Sequence, residues 1–295
     1  MIIKQFEDKP LAHYSYAILS GNEMALVDPS RDPEPYYKFA EENDAKIVAI
    51  FETHPHADFV SGHLQIHKET EAVIYVSELV GADYPHKTFD YGATVIMNEV
   101  TFTAINTPGH SPDGITIIAK DKNTKQAIFT GDTLFIGDVG RPDLREKAGN
   151  MKAKREQLAE AMFTTMQTKF NHLPDDTLVY PAHGAGSLCG KNMSSDSSST
   201  LGNERLGNWA FKNLTKKEFV AHILQDQPFI PSYFGYDVDI NKKGASNFKK
   251  FISQIPLKIG AFKIERDILI IDTRDEEEFK KNHLPNSINI MARNI

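Results

Sequence analysis

The sequence predicts a mixed α/β fold, an expectation that rests on three observations. Short apolar runs typical of buried strands alternate with segments whose apolar residues recur at helical spacing. Clusters of Gly, Pro and Asn separate these runs, as expected of turns. Several strand-like runs end in loops that carry His or Asp. At 295 residues, the chain is long enough for one large or two ordinary domains.

The first half of the chain predicts strands alternating with short helices. Apolar runs at residues 17–19 and 24–27 are separated by a Gly-Asn turn signal and predict a β-hairpin. The spacing predicts surface helices over residues 35–42 and 62–71, with a strand resuming at 73–76. The pattern therefore favours a layered α/β arrangement over an all-helical or all-strand one.

The second half contains the clearest amphipathic helix, over residues 152–170, and its two methionines are expected to be core residues. Residues 192–200 are rich in Ser and predict a mobile loop. Another helix is predicted at 218–224, followed by a Pro- and aromatic-rich stretch, 227–236, that we expect to drape over the domain.

A change of composition near residues 241–246 indicates a domain boundary. We therefore expect a first domain over residues 1–243 and a second segment over 244–295. In that segment a buried strand, 268–271, precedes a helix with acidic residues in its first turn. About 50 residues are too few for an independent core, so the segment is predicted to be an incomplete domain.

Metal-ligand chemistry is the strongest signal in the sequence. The apolar run 47–51 leads into a loop that carries His54, His56 and Asp58. Strand ends of an α/β fold can meet at one edge of a sheet, so ligands that are distant in sequence can come together. Imidazole with carboxylate suits zinc or iron better than calcium or magnesium. Three further strand ends lead to His110, Asp132 and His183.

Composition limits the partners. The formal charge is −7 and the pI about 5.9, without a sustained basic block, which argues against nucleic acid or an anionic membrane as partner. The N-terminus lacks a signal-peptide core and no apolar stretch is long enough for a span, so we expect a cytoplasmic protein.

The single cysteine, Cys189, excludes an intrachain disulfide and any multi-Cys metal site. It lies in a glycine-flanked loop beside Lys191, which we expect to favour the thiolate. The alternative is a loop cysteine without a chemical task.

A family resemblance follows from these motifs. The set resembles the metallo-β-lactamase superfamily, which implies an αββα sandwich over residues 1 to about 240, with the metal at one edge. Within it, residues 137–144 and 186–191 are most similar to persulfide dioxygenases, particularly those fused to rhodanese domains. Residues 271–290 resemble the N-terminal half of a rhodanese module. The motifs that carry the superfamily resemblance are residues 54–58, 108–111, 129–135 and 181–184.

The chain departs from the superfamily pattern at Phe59, where the dinuclear hydrolases have a His that helps to hold a second metal. One metal is therefore the better interpretation. The resemblance implies that one Fe(II) per chain is bound by His54, His110 and Asp132. It leaves His56, Asp58 and His183 as catalytic residues that orient ligands or donate hydrogen bonds to bound oxygen.

The implied activity is an oxidoreductase of sulfide detoxification: a low-molecular-weight thiol persulfide, O2 and water give the thiol and sulfite. Arg141 is expected to bind an anionic group of the carrier, with a surface salt bridge as the alternative. Cys189 and Lys191 are expected near the substrate, with Cys189 a candidate sulfur relay. The carrier stays open among glutathione, coenzyme A, bacillithiol and other thiols. We also expect a homo-oligomer.

Two other functions remain as alternatives. A thioester hydrolase of the glyoxalase II type shares the fold and activates water between two metals. A non-catalytic sulfur-carrier or sensing module would use Cys189 instead. In an intact fusion, rhodanese chemistry would add a sulfurtransferase step that yields thiosulfate, but the rhodanese-like residues contain no cysteine.

Overall fold

Two six-stranded β-sheets form the centre of the protein in a computed structural model. The structure describes residues 1–122, 126–146, 154–260 and 268–292. The first sheet has the order β1-β2-β3-β4-β5-β6 and the second the order β12-β11-β10-β9-β8-β7. The strands are β1 Ile2–Asp8, β2 His13–Ser20, β3 Glu23–Val27, β4 Lys46–Phe51, β5 Val73–Val76, β6 Lys87–Thr88, β7 Thr94–Met97, β8 Val100–Asn106, β9 Ile115–Asp121, β10 Gln126–Gly131, β11 Leu178–Pro181 and β12 Ser199–Thr200.

Strand pairing explains why several ligand-bearing loops meet. In the first sheet β1, β2 and β3 are antiparallel, whereas β3, β4, β5 and β6 are parallel. In the second sheet β10 and β11 are parallel and adjacent, so both end at the same edge. All eight residues of β2 are buried, as expected of a strand covered on both faces.

Helices cover the outer faces of both sheets. One apolar cluster fills the space between the sheets, and Phe51 from β4 meets Phe102 from β8 there at a ring-centroid distance of 4.9 Å. A second cluster packs α1 and α2 on the first sheet, and a third packs α3, α4 and α5 on the second. This is the αββα sandwich that the resemblance implied. The helices are α1 Glu34–Glu42, α2 His63–Thr70, α3 Arg155–Thr168, α4 Leu201–Gly207, α5 Lys216–Leu224, α6 Phe234–Lys243, α7 Phe248–Ser253 and α8 Glu276–Lys281.

Most predicted elements are confirmed, including the hairpin, α1, α2 and the core position of Met162 and Met166 in α3. The first residues of the helix expected at 152–170 lie outside the described residues. The aromatic stretch expected only to drape over the domain instead continues into α6 from Phe234. Its β-branched residues and glycine gave no helical signal.

The contacts divide the chain into two units, Met1–Ile252 and Ser253–Ile295. This limit lies slightly beyond the boundary expected between residues 243 and 244. The second unit contains α8 and a parallel pair of short strands, β13 Ile270–Asp272 and β14 Ser287–Asn289. Among the described residues, no helix combines the length and apolar character of a membrane span.

Candidate metal centre

The loop that follows β4 provides the floor of the candidate site. Its backbone begins at Glu52, and both His54 and His56 are buried. The carbonyl oxygens of His56 and Phe59 each accept a hydrogen bond of 2.8 Å from the Asn241 amide, whose oxygen accepts one from the Ser61 N–H. Asn241 is buried in α6, so a helix far along the chain holds the metal loop in shape.

Three side chains from three strand ends converge at one point. Oδ2 of Asp132 lies 3.7 Å from Nε2 of His54 and 3.6 Å from Nε2 of His110. Two ligands of one transition metal, each about 2.0–2.2 Å from it, lie at separations of this order. Nε2 of His54 and Oδ2 of Asp132 are buried and have no hydrogen-bond partner among the described residues. The three atoms therefore fit a single metal ion.

The other ring nitrogens fix the two imidazoles in the orientation that a metal requires. Nδ1 of His110 lies 2.9 Å from the carbonyl oxygen of Arg141, which can only accept, so Nε2 carries the free lone pair. Nδ1 of His54 contacts the Thr53 hydroxyl at 3.0 Å, and that hydroxyl donates to Asp28. Burial lowers the pKa of both His54 and His110, so both rings are neutral, as metal ligands must be.

The third candidate ligand, Asp132, is held by His183. Its Nδ1 donates to Oδ1 of Asp132 at 2.7 Å, and its Nε2 lies 2.8 Å from Oδ2 of Asp58. Burial alone lowers the pKa of His183, but the two carboxylates outweigh it and raise the pKa well above its usual value. Burial alone raises the pKa of Asp132, but His183 and the neighbouring imidazoles bring it well below its usual value. Asp132 is therefore ionised with one oxygen free for a metal.

Comparison with known proteins identifies the family. Residues 8–183 match the model of the metallo-beta-lactamase superfamily. The chain belongs to the metallo-β-lactamase superfamily. Residues 260–294 match the rhodanese-like domain, which confirms the resemblance of the C-terminal segment.

Solved structures and curated relatives agree with this assignment. A metallo-beta-lactamase from Staphylococcus aureus is 32% identical, with a TM-score of 0.88, over 99% of this chain and 86% of that one. ETHE1 from Myxococcus xanthus, 24% identical, shares the fold with a TM-score of 0.70 over 82% of this chain and 98% of its own. A hydroxyacylglutathione hydrolase from Tolumonas auensis is 30% identical over 175 residues, or 58% of this chain. The match spans only 61% of that relative's length.

A second set of candidate ligands lies beside the first in this superfamily member. His56, Asp58 and His183 bring ligand atoms within 4.8 Å of one another. The Phe59 ring is wedged against this set, with its centroid 4.4 Å from that of His56 and 6.3 Å from that of His183. His183 already contacts two carboxylates, and Phe59 offers no ligand atom.

Cys189 lies close to the candidate metal centre, but its thiol is protonated rather than ionised. Its sulfur is within 4.8 Å of ligand atoms of Asp132 and His183, so the expected proximity to the site is present. The thiol is buried in an apolar cluster with Ala57 and Phe234. Burial raises the pKa of Cys189 well above its usual value. The expectation that a neighbouring cation favours the thiolate was therefore wrong.

Lys191 and Arg141, the two basic residues that were expected to contact the substrate, bond to other groups of the protein. The Lys191 ammonium donates to the carbonyl oxygens of His222 and Gln225 at the end of α5, so no substrate contact is proposed for it. The buried Arg141 guanidinium donates to both oxygens of Asp143 at 2.7 Å, and also to the carbonyl oxygens of Leu188 and Pro228. This geometry corrects the expectation that Arg141 faces a substrate anion or forms a surface salt bridge.

His13 and Asn241 were not predicted as site residues. Neither has a neighbour at ligand spacing, and Asn241 fell in the segment read as a domain boundary. His13 reaches the site because the backbone of β2 bridges that of His183. Only the folded chain reveals either contact.

Proposed function

We propose that this chain is a persulfide dioxygenase that uses one Fe(II), held by His54, His110 and Asp132. The observation that carries the proposal is the ligand set: two neutral imidazoles and one carboxylate converge, while Phe59 closes the neighbouring position. A 2-His-1-carboxylate set with open positions is typical of non-haem Fe(II) oxygenases. The motifs of residues 137–144 and 186–191 support the same reaction class.

The substrates in this proposal are a low-molecular-weight thiol persulfide and O2, and the products are the thiol and sulfite. Bound Fe(II) would supply the electron transfer between sulfur and oxygen that side chains cannot perform. The chain's own residues hold the reactants in order and exclude bulk water. His183 keeps Asp132 oriented through a 2.7 Å hydrogen bond, and its other nitrogen lies 2.8 Å from Oδ2 of Asp58.

His56 has a supporting task in this proposal. Its Nε2 lies 3.3 Å from the Asp28 carboxylate, and its ring is 4.2 Å from that of His54. Both of its ring nitrogens are buried without a hydrogen-bond partner among the described residues. His56 can therefore form a hydrogen bond to a group that is bound next to the metal.

Cys189 does not need to be a thiolate for this function. The protonated, buried thiol next to Asp132 and His183 forms part of the apolar wall of the site. A sulfur-carrier or sensing function based on Cys189 is disfavoured, because the thiolate is the reactive form of cysteine.

The second candidate is a thioester hydrolase of the glyoxalase II type. It is favoured by the sequence similarity to hydroxyacylglutathione hydrolases and by the second ligand set of His56, Asp58 and His183. Such an enzyme would activate water between two metals. Phe59 weighs against it, because an apolar ring stands where a further ligand to the second metal is needed.

Ligand variants test the proposal. We expect His110→Ala and Asp132→Ala to lose iron and persulfide-dependent O2 uptake, while circular dichroism still shows a folded chain. His172→Ala, an exposed residue, is the matched control and should keep both. If the ligand variants retain O2 uptake, or if wild type hydrolyses thioesters briskly with zinc bound and consumes no O2, the proposal fails.

A further inference from the structure

His13 is a buried imidazole that no motif assigned to the site. It is the first residue of β2 and is only 1% exposed. Its ring centroid lies 4.0 Å from that of Phe59, 5.4 Å from that of His183 and 5.8 Å from that of His56. The backbone on both sides is fixed, since Tyr14 N–H donates to the Ala182 carbonyl at 2.7 Å. The ring is therefore held beside the metal centre.

The hydrogen bonding of His13 defines its protonation. The ring bonds to the backbone of Asp28, and Nε2 has no partner among the described residues, so the bond uses Nδ1. A carbonyl oxygen can only accept, so Nδ1 carries the proton and Nε2 is an acceptor. Burial, together with the nearby His183 and His56, lowers the pKa of His13 well below its usual value, which keeps the ring neutral.

A buried acceptor without a donor is unfavourable by about 1–3 kcal/mol. Nε2 of His13 is shut off from bulk solvent, and its ring lies among those of Phe59, His183 and His56. The neighbouring Phe59 ring offers no donor, and Nδ1 of His183 already donates to Oδ1 of Asp132. The position therefore suits a small neutral donor, and water is the smallest.

His13 also lines a surface cavity of about 660 Å³ at the ends of β1 and β2. The cavity wall carries linked hydroxyls, in which the Tyr36 hydroxyl contacts Ser15 Oγ at 2.7 Å and donates to Ser30 Oγ at 3.0 Å. His13 thus borders both a polar surface cavity and the candidate metal centre.

We propose that His13 Nε2 accepts a hydrogen bond from the water molecule that the dioxygenation consumes. This inference rests on the proposed function, in which RSSH + O2 + H2O gives RSH + SO3²⁻ + 2 H⁺. The S–S bond breaks, the thiol leaves with the bonding pair, and the electrons that the outer sulfur loses are those that O2 gains. Water supplies the remaining oxygen of sulfite. His13 is a positioning residue for that water.

Two variants separate the acceptor from the ring. His13→Phe keeps an aromatic ring against Phe59 but removes the acceptor, whereas His13→Gln keeps an acceptor in the side chain. With iron-loaded full-length protein, we expect His13→Phe to lower kcat about tenfold, which corresponds to about 1.4 kcal/mol, with unchanged persulfide KM and iron content. His13→Gln should recover most of kcat, and His172→Phe, at an exposed position, should match wild type.

A crystal structure provides a readout that does not depend on activity. Wild type should show an ordered water about 2.7–3.2 Å from His13 Nε2, and His13→Phe should lack it. Equal loss of kcat in the Phe and Gln variants, or wild-type crystals without this water, would overturn the inference while leaving the dioxygenase proposal intact. A bound water in a protein that consumes no O2 with persulfide would instead overturn the proposed function.

Discussion

Replacing Phe59 by histidine tests whether this side chain limits the centre to one metal. Phe59 is 5% exposed and its ring lies 4.0 Å from that of His13 and 4.4 Å from that of His56. Without a metal, the substitution loses ring packing worth about 0.5–1.5 kcal/mol. It also buries an unpaired polar ring, at a further cost of about 1–3 kcal/mol. We therefore expect metal-free Phe59→His to be destabilised by about 2–4 kcal/mol.

A second metal should reverse that loss. An ion bound only by the folded state adds about 2.7 kcal/mol when its concentration is 100 times its Kd. The melting temperature of Phe59→His should accordingly fall by about 4–16 °C without metal, at about 2–4 °C per kcal/mol, and recover most of this with zinc.

The assay combines metal analysis, thermal unfolding and two activities. Phe59→His should bind two metals per chain, lose persulfide-dependent O2 uptake and gain thioester hydrolysis. Phe59→Leu is the control, because it is apolar and brings no ligand, and it should stay at one metal. If wild type and Phe59→Leu already bind two metals, or if Phe59→His gains none, the role assigned to Phe59 is refuted.

Three further predictions follow from buried contacts. Asn241→Ala leaves three backbone groups of the metal loop unpaired. It should therefore cost about 3 kcal/mol, at about 1 kcal/mol per bond, and weaken iron binding in a chelator competition. Asn203→Ala, at an exposed position, is the control. Burial raises the pKa of Asp237 to about 6, so the folded state binds the extra proton and stability falls as pH rises from about 4 to about 6. Asp237→Asn should therefore raise the free energy of unfolding at pH 7 by on the order of 1 kcal/mol, a value discounted because the group is half exposed. At pH 4 it should give no gain. Arg141→Ala leaves the Asp143 carboxylate without its buried partner and should lower the free energy of unfolding by about 3–5 kcal/mol. A stable Arg141→Ala protein with only a raised KM would contradict the structural role.

The convergence of the three candidate ligands could be predicted from sequence because each of them follows a strand. A strand-like run before His54, His110 or Asp132 places each residue at a strand end, and parallel neighbours such as β10 and β11 end at one edge. The order of strands and ligand-type residues in the sequence therefore predicted that the candidate site lies at one edge of a sheet. The identity of the metal is not contained in the positions of the ligands alone, since both iron and zinc accept these donors.

Other features depend on contacts that no local pattern encodes. The Asn241 side chain forms hydrogen bonds with the backbone of a loop 180 residues earlier in the sequence. Because the loop contributes only backbone groups, its residue types do not reveal these bonds. Cys189 lies in a glycine-flanked loop beside Lys191, but α6 covers it with Phe234, a contact that the loop's own residues do not encode. Asp143 stands two residues after Arg141 and gave the one local hint that the guanidinium was already paired.

The most direct test of the central claim measures metal content and O2 consumption in the same preparation. Protein purified without oxygen should contain about one iron per chain. On addition of a low-molecular-weight persulfide, it should consume one O2 for each sulfite formed. Two tightly bound zinc ions per chain, with thioester hydrolysis and no O2 uptake, would contradict the account.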